Sequence, residues 1–94
     1  MEHQLEAAET LALSVLEWLA GREDLLSVFM GSTGSTEEDL RTRAAEPEFL
    51  AAVLDFLLTD DAWVIAFSTD SGIATDALLQ ARHVLPGGAQ THWT

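Results

Sequence analysis

The chain contains no cysteine and no lysine. Without cysteine there can be no disulfide staple, thiol nucleophile or thiolate metal ligand, and a reducing compartment is the expected setting. Without lysine, positive charge rests on four arginines set against 16 acidic residues, a formal charge of −12. Phosphate backbones and anionic lipids bind proteins through Lys and Arg that release counterions, so this field repels both and favours a partner with a basic surface. Acidity of this size also serves plain solubility in a chain that is 48% apolar.

Long hydrophobic runs are missing as well. The most apolar stretch, Phe49 to Phe67, is broken by Asp55 and by Thr59-Asp60-Asp61. The pieces fall short of the roughly 20 residues a membrane helix needs. Met1 to Glu6 has neither the basic flank nor the apolar run of a secretory signal. No export is expected, and the cytoplasm is the expected location. The 94 residues suffice for one domain, 1–94, whose core needs neither metal nor disulfide.

The chain nearly repeats itself 38 residues on. Val15-Leu16-Glu17-Trp18-Leu19 overlays Val53-Leu54-Asp55-Phe56-Leu57, while Phe29, Gly34 and Leu40 overlay Phe67, Gly72 and Leu78. Two Leu- and Ala-rich stretches can also match by coincidence. As a true duplication, the halves are about 9–46 and 47–84, with a loose tail at 89–94. Two copies are too few for a solenoid, so the halves are expected to pack about a pseudo-twofold axis.

Apolar spacing predicts a first helix from about Gln4 to Ala20, ended by Gly21, and a short second helix that starts with Glu23-Asp24, has Leu25, Leu26, Val28 and Phe29 apolar, and runs up to a break at Gly31. Two overlapping capping boxes, Ser35-x-x-Glu38 and Thr36-x-x-Asp39, open a third helix that ends near Ala45. Pro47 suits the first turn of a fourth helix running to about Leu58, apolar around most of its circumference and therefore central to the fold or part of a subunit interface. A fifth helix, Ala62 to Ser68, and a last one, Thr75 to Leu85, complete an all-α, compact bundle of about six helices made from two similar three-helix halves.

The run Leu40-Arg41, Ala44 and Pro47 to Leu58, followed by Asp60-Asp61 and Phe67, resembles a family of short bacterial helical proteins, mainly alphaproteobacterial, catalogued only as a domain of unknown function. The resemblance covers roughly Ala8 to Gly87. Glu46 stands where that family tends to place aspartate. Ser35-Thr36-Glu37 and Ile73-Ala74-Thr75 stand where it tends to open a helix with proline. The shared motifs pack and cap helices, so the resemblance implies a fold and no activity.

Several candidate chemistries fail on their residues. Gly31-Ser32-Thr33-Gly34-Ser35-Thr36 has the form of a phosphate nest but lacks the lysine of a P-loop and runs into Glu37-Glu38-Asp39. His3, His83 and His92 form no i, i+4 pair for zinc, and Asp60, Asp61, Asp70 and Asp76 do not follow a calcium loop. Glu17 and Asp55, equivalent in the two halves, invite a carboxylate dyad, but no nucleophile or ligand set accompanies them. A salt bridge to Arg41, Arg43 or Arg82 is the more ordinary role. No enzyme activity, cofactor or metal is expected.

The fifth helix, glycine turn and sixth helix have the lengths of a helix-turn-helix, whose recognition helix would present Thr75, Asp76, Leu79, Gln80 and Arg82. Its charge disfavours DNA. The favoured expectation is a non-catalytic acidic interaction or regulatory module that binds a basic or amphipathic partner segment, or a second copy. Its surface is expected around Trp63 and Phe56, with carboxylates from Glu37, Glu38 and Asp39. A helix-turn-helix regulator of DNA is the alternative.

Overall fold

In a computed structural model, residues 2–86 are described, with side chains from Gln4 onward. The tail expected at 89–94, together with His92 and the side chain of His3, lies outside the described residues. Among the described residues six α-helices follow one another: α1 Glu2–Ala20, α2 Glu23–Thr33, α3 Glu37–Thr42, α4 Pro47–Leu58, α5 Asp61–Ser71 and α6 Thr75–Val84. No strand occurs among the described residues. The Cα radius of gyration is 12.4 Å.

Sequence chemistry sets most of these boundaries. Pro47 occupies the first turn of α4, where its missing N–H forfeits no hydrogen bond. Of the two possible capping boxes before α3, the one at Thr36 forms: its hydroxyl accepts from the Asp39 N–H, and the Asp39 carboxylate accepts from the Thr36 N–H. Ser35 turns instead to Thr33, whose hydroxyl donates to it. Two helices run past their expected ends. α2 passes through Gly31 and α5 continues beyond Ser68, because the stop is the following glycine: Gly34 and Gly72 adopt left-handed φ angles of 76° and 77° and close the helices with N–H bonds to Met30 and Ser68 carbonyls. α3 stops at Thr42, before Ala45, where the Arg43 and Glu46 N–H groups turn the chain back onto the carbonyls of Asp39 and Arg43.

α4 is the central helix, as its apolar girth predicts. Phe49, Leu50, Ala51, Val53, Leu54, Phe56 and Leu57 are all buried in it, and it packs on α1, α2, α5 and α6. α1 supplies Ala8, Ala12, Val15, Leu16 and Leu19, spaced three or four apart on one stripe. Phe29, Phe67 and Leu78 complete the core. Fully burying one such side chain contributes about 1.5–3 kcal/mol, and among the described residues no buried polar side-chain atom lacks a partner.

The first and second halves agree in detail over two helices and part company at the third. α2 and α5 have equal length and start and end 38 residues apart, and the ends of α1 and α4 are separated by the same interval. Phe29 and Phe67 are both fully buried, as are Val15 and Val53, and Leu19 and Leu57. α3, however, has six residues, none of them buried, whereas α6 has ten and makes its main packing against α1. The cause is local: α3 itself sets only Leu40 against the core, followed by Ala44 beyond its end, while α6 has Leu78 and Ala81 on one stripe, continued by Leu85.

Candidate interaction surface

The side chains that favour function in the sequence occupy three different situations. Phe56 is buried on the α4 face turned toward α2 and α5, with its ring edge-on to Phe29 at 5.3 Å. Trp63, near the start of α5, is half-buried and stacks on Phe56 at 4.7 Å and 27°. Its own helix is opened by Asp60, whose carboxylate caps the Ala62 N–H. These two rings form one wall of an open groove of about 490 Å³ completed by Val28, Ser32, Thr33, Ala52, Asp55 and Thr59. Val28 is 48% exposed although it is a large aliphatic residue.

Glu37, Glu38 and Asp39 do not line that groove. Glu37 and Glu38 are exposed at the start of α3, where negative charge complements the helix dipole. Asp39 is committed to the Thr36 cap. The carboxylate that does reach the groove is Asp55, and Arg82 from α6 grips it with two nitrogens, Nη2 lying 3.0 Å from Oδ2. Arg82 also points toward the Leu85 and Pro86 carbonyls, and its side chain is 12% exposed. The salt bridge considered for Asp55 therefore exists, and Glu17 is not part of it.

That pairing bears on the helix-turn-helix shape. Gly72-Ile73-Ala74 joins α5 to α6, and Thr75, Asp76, Leu79 and Gln80 are exposed on α6. The arginine of that helix is folded back onto Asp55 rather than offered outward. The turn itself is tied by Ser68, whose hydroxyl donates to the Ile73 carbonyl, and by Ser71, whose hydroxyl accepts from the Ile73 N–H.

Sequence reasoning missed two features. The first is a clamp at the corner of α1, α2 and α5: the Trp18 indole N–H and the Arg22 guanidinium both donate to Asp70 Oδ2 at 2.8 Å, and Arg22 lies 4.6 Å over the Trp18 ring. The Trp18 hydrogen bond first, and then Arg22, hold the Asp70 carboxyl below the ordinary carboxylate range. The second is an aliphatic patch where α4, α5 and α6 meet. Ile65 is 60% and Leu79 52% exposed there, beside Leu58, Val64, Asp61 and Thr75. Arg43, bonded to Glu46 and raised in pKa first by that bond, makes a third local pair.

Among the described residues no cluster of three or more His, Asp or Glu side chains is placed to hold a metal, and no helix is long and apolar enough to cross a membrane. The fold and surface define a small helical bundle with apolar side chains left open beside α5. The chain belongs to the DUF3572 family, proteins of unknown function, whose sequence model matches residues 5–88. Neither a curated protein nor a solved structure matches it.

Proposed function

We propose that this protein is a non-catalytic acidic docking module that binds a basic or amphipathic segment of a partner protein through the groove at Val28, Phe56 and Trp63. The observation that carries the reading is the combination of that apolar groove with the state of the arginines. Arg22, Arg43 and Arg82 are each bound to a carboxylate of the chain itself, on Asp70, Glu46 and Asp55. Among the described residues most acidic side chains stand outside these ion pairs. Such a molecule attracts cationic partners over long range, while a half-exposed indole beside an exposed valine supplies the apolar anchor. The matching intervals and burial of the two halves fit a duplicated unit arranged about a pseudo-twofold axis, in which the shared residues serve packing. Engagement of Arg82 by Asp55 weighs against the DNA-binding alternative, because the helix that would enter the groove of a duplex then has its arginine already paired.

Calorimetric titration with a synthetic amphipathic peptide of Leu and Lys, set against its Leu and Glu counterpart, tests this reading. Binding of the cationic peptide alone, weakened by added salt and by Val28→Ser, is the expected result. Equal binding of both peptides, or none of either, contradicts it.

A further inference from the structure

The apolar surface of α5 does not end at the groove. Trp63 and Ile65 are two residues apart, which on a helix places them about 200° around the axis from one another. Trp63 faces the groove, and Ile65 faces the other side, where it lies with Leu58, Val64 and Leu79 in a separate open depression between α4, α5 and α6. Ile65 and Leu79 are the two most exposed large apolar side chains among the described residues. Two branched aliphatics side by side, each more than half in water, form a contiguous patch rather than scattered surface residues.

The one charged side chain that lines the patch is acidic, while Arg82 and His83 follow Leu79 by three and four residues on α6, with Arg82 drawn onto Asp55. Asp61 lines it directly and sits four residues before Ile65; Asp76 sits three residues before Leu79. Those spacings put each carboxylate on the same helix face as its aliphatic neighbour, at the helix end nearer the N-terminus. Both aspartates are exposed, and the six residues that line the patch include no cation. Aliphatic side chains flanked by two unpaired carboxylates are complementary to one kind of occupant, a helix with aliphatic anchors at i, i+3 or i+4 and Lys or Arg beside them. A second copy of this chain would bring carboxylates against carboxylates, at −12 on each side.

We infer that the Ile65–Leu79 patch on the α5–α6 pair is a second docking surface, distinct from the Trp63 groove, and that it takes a cationic amphipathic helix of a partner protein. The inference rests on the reading of the chain as a docking module for basic segments and adds the place and form of the contact. The helix-turn-helix shape then presents aliphatic rather than basic side chains outward, which suits a protein helix and not a phosphate backbone.

The experiment uses the full chain and the same Leu and Lys peptide, with Ile65→Ser, Leu79→Ser and Val28→Ser measured side by side. Because Ile65 and Leu79 are exposed, their substitution leaves the fold intact, which circular dichroism verifies. Loss of about tenfold or more in affinity from Ile65→Ser and from Leu79→Ser is the expected result, as for truncation of an interface anchor. Asp61→Asn and Asp76→Asn are expected to flatten the salt dependence. Binding that Val28→Ser weakens while Ile65→Ser and Leu79→Ser leave it unchanged overturns this inference and keeps the Trp63 groove. Absence of any binding overturns both. A concentration-dependent dimer in sedimentation that Ile65→Ser dissolves, with no peptide bound, also overturns it and gives the patch to a second copy.

Discussion

At one corner of the bundle Trp18 of α1 meets Phe67 of α5 edge-on, with ring centroids 5.6 Å apart; at the other, Phe56 of α4 meets Phe29 of α2 edge-on at 5.3 Å. The four rings are two pairs of equivalent positions, and their inner contacts are alike. The outer finish is not. Over Trp18 lies Arg22, and both hold Asp70, so polar bonds close that corner. The positions 38 residues from Arg22 and Asp70 are Asp60 and Ser32. Asp60 caps α5, and Ser32 is exposed. There Trp63 covers Phe56 with a half-buried indole and leaves an apolar groove. The two ring pairs therefore have different finishes, one bridged by polar bonds at the surface and one left apolar, and the apolar one is where a partner can gain by burying surface.

The comparison can be tested first in the core. Phe29→Ala and Phe67→Ala should each destabilise the fold by about 3–5 kcal/mol, in line with other buried Phe truncations. Urea unfolding measures both, and a large inequality would show that the two corners are not equivalent inside. Next come the glycine stops. Gly34→Ala and Gly72→Ala put a side chain into left-handed backbone in otherwise open space, and each should cost about 1–2 kcal/mol by thermal unfolding.

A smaller effect separates the two finishes. Asp70 has a folded pKa depressed by Trp18 and Arg22, so its contribution is complete above the unfolded value of about 3.9 and disappears as pH falls through the lower folded value. Asp70→Asn should flatten the acid limb of the stability profile in that window, whereas Ser32→Ala at the open corner should leave the limb unchanged. Smallest of all, Ile65→Ser and Leu79→Ser should shift stability by no more than about 0.5 kcal/mol, the usual range for exposed positions. A loss of several kcal/mol would mean that these side chains serve the core of the isolated protein.

Much of the fold was legible because it is written in local signals. Pro47 starts α4, Thr36 and Asp39 start α3, and the near-continuous apolar run from Phe49 to Leu58 marks the central helix, whereas apolar spacing sets the ends of α2 and α5 too early, at Gly31 and Ser68. Gly31 misled because a glycine within a helix costs stability without ending it unless the next turn also breaks. The site was less legible. Trp18, Arg22 and Asp70 come together across 48 to 52 residues and share no local pattern, so only the packing of α1 against the rest reveals the clamp. Their one trace in the sequence is that Arg22 and Asp70 are polar positions where the two halves differ. Phe56 is largely buried against Phe29 and under Trp63, yet its ring still lines the groove. Ile65 could not be singled out because α5 is apolar at every position from Ala62 to Phe67, which gives no face a preference.

The proposed occupant of the open apolar surface beside α5, set in an acidic molecule, is a cationic helix. NMR shift mapping during titration with the Leu and Lys peptide tests this most directly. The predicted result is saturable shifts at Leu58, Asp61, Ile65, Thr75 and Leu79, and at Val28 and Trp63 for the groove, all diminished by salt. Shifts absent from both surfaces, or confined to the acidic start of α3 at Glu37 and Glu38, would contradict it.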